Sequence, residues 1–431
     1  MRYGIIGGGV TGLSVADRLS RDGHAVTLFD KNAELGGIAR VMRAEDGDIL
    51  DSFYHCILSG DSRVVALIKA LGLEKELYWV KAKTGFLYHG VLYPFNTPVD
   101  ILKFSPLSFL QRLNLGRTLY KCERLKDFHT LEGITARDWL IRHGGKETFD
   151  KFWGPLLRFK FGPASVRVPA TWIWSRVRRH ASARGPTKSG EGLGYLRGGF
   201  DLLFRTWEEA LLGRGVTLYK GTAAGELLSR NGEIIGLVAG GEKFEFERVI
   251  VTVPIPVLKH LLPDDKKNAL GPVADLDYQG GIFLLLKMNR PLTQYYSIPI
   301  VDREENITGL VETSNLIRER SEKGECLVYC IHYTSDPQML SRSAEDLSTE
   351  YIPVLKRLFP GFSDTAVQAS YVSRSRYIEP IYSLYFSQQV LPHRLPIPSL
   401  YLCNTTQIYP YINCFDSCLR LTDRFCRDIR Q

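Results

Sequence analysis

The stretch Met1–Leu19, MRYGIIGGGVTGLSVADRL, decides the fold, because it carries Gly7-x-Gly9-x-x-Gly12 between two unlike patterns. Tyr3-Gly4-Ile5-Ile6 reads as a short buried strand, and Leu13, Val15, Ala16 and Leu19 then recur at helical spacing. The order strand, tight turn, helix is what gives an otherwise weak glycine motif its meaning. Gly7 permits the turn, Gly9 admits a pyrophosphate to the backbone, and Gly12 lets the helix pack closely. The phosphates of a dinucleotide then meet unpaired N–H groups at a helix N-terminus. A second strand, Ala25–Phe29, ends in Asp30, where an acid is expected to bind a ribose hydroxyl and to repel a 2′-phosphate. These residues fit NAD and FAD equally.

The next residues separate the two. Leu35-Gly36-Gly37-Ile38-Ala39-Arg40 brings a second glycine pair at a set distance from Asp30. This resembles the extended dinucleotide signature of FAD-dependent amine oxidases, protoporphyrinogen oxidases, phytoene desaturases and UDP-galactopyranose mutases. Two distant stretches are similar to the same superfamily. Tyr195–Leu203, with Gly198-Gly199, precedes a helix and the strands Gly215–Tyr219 and Val249–Pro254; the resemblance implies that the chain beside Ala224 passes the adenine. Near the C-terminus, Ser399–Asn404 followed by Asp416–Arg420 resembles the closing motif, in which a helix N-terminus, here at Ser417, faces the flavin. Cys403-Asn404 stands where Gly-Asp is usual, so Asn404 offers a ribityl or phosphate contact without charge.

The resemblance implies an α/β fold: a Rossmann-type FAD-binding domain, glutathione-reductase-like, with a mixed-sheet plus helical substrate domain inserted. The expected division is 1–81, 191–264 and 393–431 for FAD, and 82–190 and 265–392 for substrate. The cofactor set is Gly7, Gly9, Gly12, Asp30, Gly36, Gly37, Arg40, Ala224, Asn404 and Ser417.

With 431 residues the chain holds two domains of ordinary size, and 44% hydrophobic with 24% charged residues is a globular composition. Its eight cysteines form no CxxC pair and no zinc spacing, so buried free thiols in a reducing cytoplasm are expected. No signal peptide and no apolar run of membrane-spanning length is apparent. The longest linker-like stretch is 180–192.

The net charge of +8 is concentrated in a basic band, Arg158, Lys160, Arg167, Arg176, Arg178, Arg179, Arg184, Lys188 and Arg197. A solvated face and an anion site explain it equally well. Without a recognised nucleic-acid module, the expected anion is a phosphate or carboxylate of a small-molecule substrate, gripped by Arg178 and Arg179.

In the first insertion, Phe86–Phe95 reads as a hairpin turning at His89-Gly90, and a helix follows Pro98 with Ser105 or Ser108 near its start. Phe104, Leu107, Phe109, Leu110 and Leu113 are apolar there, whereas Arg112, Arg117, Lys121, Arg124 and Lys126 are basic. Such a pattern suits a membrane surface, and more often a helix burying one face in its own domain. The expected location is the cytoplasm, with peripheral membrane contact left open.

The second insertion opens with strands at Gly281–Met288 and Cys326–Tyr333, then a capped helix at Ser343–Asp346. No triad or carboxylate pair emerges, and the resemblance requires none, because the flavin accepts the hydride. His55, in Asp51–His55, follows the first FAD unit where the superfamily sets a loop against the ring; His332, Tyr333, Arg376 and Tyr382 are further pocket residues. The resemblance implies an FAD-dependent oxidoreductase acting on a CH–CH or CH–NH bond of a largely hydrophobic, anionic or amine-bearing substrate, an isoprenoid or amine for example. The alternative is a non-redox flavoenzyme of the UDP-galactopyranose-mutase type acting on a phosphorylated sugar; Val91–Asn96 and Phe152–Pro155 resemble that family.

Overall fold

The computed structural model describes residues 1–182, 192–301 and 306–430. Arg184, Lys188 and the expected boundary at 190/191 lie outside them. The N-terminal strand β1, Arg2–Ile6, leads through the glycine turn into helix α1, Val10–Arg21, and back to β2, Ala25–Phe29, which pairs parallel with β1. Both strands are almost wholly buried and apolar, as a sheet covered on both faces requires.

Three sequence-distant segments complete this sheet. Its order is Thr217–Tyr219, β2, β1, Arg248–Val251, Leu400–Leu402, with every pair parallel. The C-terminal helix Phe415–Asp428 packs beside α1. A parallel sheet carries its ligand at the carboxyl ends of its strands, which is where the glycine turn lies.

A second five-stranded sheet runs Ser297–Pro299, Gly309–Glu312, Cys326–His332, Tyr278–Met288, Val367–Pro380, with antiparallel ladders. Isolated parallel bridges, Thr84 to Ser297 and Leu87 to Ile300, tie the Gly85–Tyr88 hairpin strand to it and make the assembly mixed. The period of two sorts its side chains. Ile282, Leu284 and Leu286 pack under the Ala344–Leu358 helix, whereas Phe283 and Leu285 join the core that contains α1. The helices of 98–182 bury a third core rich in Phe and Trp.

Local signals fall where the sequence places them. The hairpin turns at His89 and Gly90, both at positive φ. Ser343 and Asp346 form a capping box. The segment after Pro98 is two helices, Pro98–Lys103 and Phe109–Arg124, with Ser108 capping the second; Pro106 lies between them and does not continue the first helix. None of the eight cysteines is in a disulfide.

Candidate functional site

Two glycine turns meet backbone to backbone. The N–H of Gly36 donates to the Gly8 carbonyl at 2.8 Å, and Gly9 bridges to Gly36. A Cβ on Gly12 would stand 1.8 Å from the Gly7 carbonyl oxygen, and one on Gly36 2.7 Å from the Phe204 ring. Those glycines serve the packing of the protein itself. Gly9 does not: its φ of −73° suits any residue, and its Cβ would meet nothing nearer than Gly37 Cα at 3.6 Å. A glycine that neither backbone nor packing demands leaves a clear approach to the N-terminus of α1. That first turn has no side-chain cap and no acid, so its N–H groups suit a diphosphate.

Asp30 is buried behind this turn. Its Oδ2 accepts from Gly8 N at 2.6 Å, and its Oδ1 accepts from Asn32 N and Nδ2 at 2.7 and 2.9 Å. A carboxylate has about four acceptor positions, so Oδ2 retains one for a ribose hydroxyl. Thr222 N donates to the Asp30 carbonyl, which brings the approach to Ala224 alongside. Arg40 donates to the Gly37 carbonyl at 2.8 Å, and no carboxylate pairs with it among the described residues. Burial lowers its pKa, partly offset by the charge of Asp30. A half-buried guanidinium without a carboxylate partner suits an anionic ligand.

Ser417 lies in the first turn of the C-terminal helix, which also lacks a side-chain cap. Thr11 on α1 reaches the Cys418 thiol, so the two helix N-termini stand side by side. The side chain of Asn404, expected at the ribityl or phosphate groups, makes its hydrogen bonds within the protein. Its Oδ1 accepts from Thr406 N and Oγ1, its Nδ2 donates to the Val253 carbonyl, and it caps the turn Thr405–Ile408. The amide ties two strand ends together.

From Arg40 a line of aromatic contacts leads into the second sheet. The Arg40 guanidinium lies 6.0 Å from the Phe53 ring, Phe53 packs on Phe283, and Phe283 packs on both Tyr54 and Tyr333. The hydroxyls of Tyr54 and Tyr333 are 3.1 Å apart. Lys160 Nζ sits 4.0 Å over the Tyr333 ring and 3.0 Å from Glu379, which also accepts from Trp172 Nε1 at 2.8 Å. Lys160 and Glu379 are both buried. Burial raises the pKa of both tyrosines, so they remain protonated hydroxyls.

The loop that carries Tyr54 is anchored by Asp51. Its carboxylate accepts from Tyr195 at 2.6 Å, and its carbonyl accepts from Tyr329 at 2.6 Å. Burial pushes this carboxyl up to about 7. His55 donates from Nδ1 to the Phe53 carbonyl at 2.8 Å and packs on Phe200; burial lowers its pKa and keeps the ring neutral.

Three expected pocket residues lie elsewhere. His332 is on the opposite face of its strand from Tyr333, where it donates to the Asn306 carbonyl near Glu350 and Arg342. Arg376 is exposed in an irregular part of its strand pairing. Tyr382 is buried against Phe386 and Tyr409 and donates to the Thr405 carbonyl at 3.2 Å. The expected Arg178–Arg179 pair is also divided. Arg178 donates to the Leu125 carbonyl and covers Trp174, while Arg179 pairs with Asp61 at 3.0 Å. Arg176 is exposed beside Trp172, and its charge acts on Tyr54 and Tyr333.

Sequence reasoning missed Lys160 as a site residue, along with Glu379, Trp172 and the Asp51 anchor. The available signal was a lysine between two aromatics, Phe159-Lys160-Phe161.

Residues 10–421 match the family described as flavin containing amine oxidoreductase. The chain is 23% identical over 421 residues to a probable zeta-carotene desaturase of Synechococcus elongatus, covering 84% of this chain and 85% of that protein. It is 30% identical over 194 residues to the mitochondrial protoporphyrinogen oxidase of Nicotiana tabacum, a match that spans 42% of this chain and 37% of that relative. The solved structure of reduced UDP-galactopyranose mutase superposes with a TM-score of 0.74 at 15% identity, covering 100% of this chain and 95% of that one.

Proposed function

Because the chain belongs to the flavin-containing amine oxidoreductase family and is an FAD-dependent oxidoreductase, we propose that it takes a hydride from a CH–CH or CH–NH bond of a largely hydrophobic substrate seated against Tyr54 and Tyr333. FAD supplies the hydride acceptor at its N5. On this reading the Gly7–Val10 turn and Arg40 hold the diphosphate, Asp30 the ribose, and the chain at Ala224 the adenine side, with Ser417 and its helix N-terminus beside the flavin ring. We assign residues 1–81, 191–264 and 393–431 to the cofactor and 82–190 and 265–392 to the substrate.

The observation that carries the proposal is the half-buried hydroxyl pair within an aromatic wall. Phe283 and Phe159 flank Tyr333 and exclude water, and the two hydroxyls orient a polar group of an otherwise apolar ligand. Lys160 is held to Glu379 and fixes the Tyr333 ring from behind, so it positions rather than transfers. An anionic end of the substrate meets Arg176, which has no carboxylate partner among the described residues.

The test is anaerobic mixing of oxidised holoenzyme with hydrophobic carboxylates, polyamines, isoprenoid diphosphates and nucleotide-sugars, followed by flavin absorbance. The proposal expects one class to bleach the flavin, more slowly in Tyr333→Phe. If no class bleaches it and a nucleotide-sugar turns over only after prior reduction of the flavin, the non-redox mutase reading replaces it.

A further inference from the structure

The segment 91–124, a hairpin strand followed by two helices, exposes apolar side chains that the fold does not use. Val91, Val99, Leu102, Phe109, Leu110, Leu113 and Tyr120 make up half of the exposed large hydrophobics among the described residues, with Phe109 64% and Leu110 71% accessible. They are not scattered. Arg112 donates to the carbonyls of Leu107 and Leu102, which locks the Pro98–Lys103 helix to the first turns of the Phe109–Arg124 helix. Val99 and Leu102 thus share one corner with Phe109, Leu110 and Leu113.

The longer helix divides its faces by both side and end. Leu115, Thr118 and Cys122 are buried against the helical core. Along the exposed face the character changes from Phe109, Leu110 and Leu113 at the N-terminal end to Arg117, Lys121 and Arg124 at the other, with Tyr120 between. At 1.5 Å per residue the centres of the apolar tip and the basic stretch are about 15 Å apart and their near ends about 6 Å, so an inserted tip leaves the basic residues at headgroup level. Neither Lys103 nor Arg117 has an ion-pair partner among the described residues. The nearby carboxylate of Asp100 is engaged by the N–H groups of Asn96 and Thr97.

We propose that this corner is a membrane-docking surface, which inserts Val99, Leu102, Phe109, Leu110 and Leu113 into the interfacial layer of an anionic bilayer while Lys103, Arg117, Lys121 and Arg124 meet lipid phosphates. Charge complementarity selects the occupant: a cationic rim around an apolar tip matches an anionic headgroup layer over an acyl layer. No helix among the described residues is long and apolar enough to cross a membrane, so attachment is interfacial.

The experiment is vesicle flotation of the holoprotein with phosphatidylcholine alone and with phosphatidylcholine containing phosphatidylglycerol. Wild type floats with the anionic vesicles, less so at high salt. Phe109→Ser/Leu110→Ser loses partitioning on the order of tenfold or more, because two large side chains no longer leave water. Arg117→Gln/Lys121→Gln loses only the preference for phosphatidylglycerol. Flavin absorbance and unfolding midpoint, unchanged in both variants, show that the fold is intact. Absence of flotation by wild type, or equal flotation by Phe109→Ser/Leu110→Ser, overturns the proposal. So does a concentration-dependent dimer in sedimentation that the same variant abolishes, which assigns the corner to a second copy of the chain.

Discussion

Gly9 and Gly37 face each other with unequal demands: a Cβ on Gly37 would stand 3.0 Å from Gly9 Cα, whereas one on Gly9 meets Gly37 Cα at 3.6 Å, an ordinary contact. Gly37 is also at a φ of +63° and Gly9 at −73°. The protein's own geometry needs the glycine at 37 and does not need the one at 9.

Gly37→Ala therefore damages the protein before any ligand is considered. The left-handed conformation alone costs an L-residue roughly 1–2 kcal/mol, and the Gly9 backbone must also give way. Thermal unfolding of the apoprotein is expected to show that loss in full.

Asp30→Ala has two effects. FAD affinity falls by about 1.5–3 kcal/mol as a charge-assisted hydrogen bond to the ribose is lost. The buried Gly8 N–H also loses its acceptor, so stability without FAD falls by about 1–3 kcal/mol. Calorimetric titration and apoprotein melting separate the two, and unchanged melting removes the structural part.

Lys160→Met leaves Glu379 buried with only Trp172 as partner, and a broken buried pair costs about 3–5 kcal/mol. Lys160→Met/Glu379→Gln removes both charges, keeps an acceptor for Trp172, and is expected to regain most of that stability. Its kcat/KM stays low, because the Tyr333 ring has lost the cation that fixes it. Full recovery of both contradicts the positioning role.

The Asp51 carboxyl titrates at about 7 in the folded protein against an ordinary value of 3.8. Between those values the folded state holds a proton that the unfolded state has released. Its contribution is thus fully present below about pH 4 and is lost as the pH rises through about 7. Asp51→Asn can still accept from Tyr195 and has no charge to bury. Melting curves of the two proteins are expected to diverge from about pH 4 to pH 7 and to run parallel above that, with the variant gaining relative to wild type. A constant difference shows that Asp51 does not titrate in that range.

What the sequence made legible was local. The turn Gly7–Gly12, the end of β2 at Asp30 and the Ser108 and Ser343 caps each lie within a few residues of what they act on. What it concealed depends on direction. Arg178 and Arg179 are neighbours in the chain, but successive helical residues point about 100° apart, so they reach different partners while Trp172 and Arg176, four apart, share a face. His332 and Tyr333 likewise alternate across a strand. Lys160 and Glu379 are joined only by tertiary packing between the helical segment and the second sheet. The cap that Asn404 forms over Thr405–Ile408 and its bond to Val253 likewise depend on how two distant strand ends meet.

The account rests on the two glycine turns being a cradle for FAD and not merely a packing joint. Titration of apoprotein with FAD, for wild type and Gly9→Ala, tests this most directly. Unfolding of the two apoproteins should coincide, since Gly9 lies in an ordinary conformation with room for a methyl group, while Gly9→Ala should bind FAD roughly ten- to hundredfold more weakly. Equal FAD affinity in the two proteins contradicts the account.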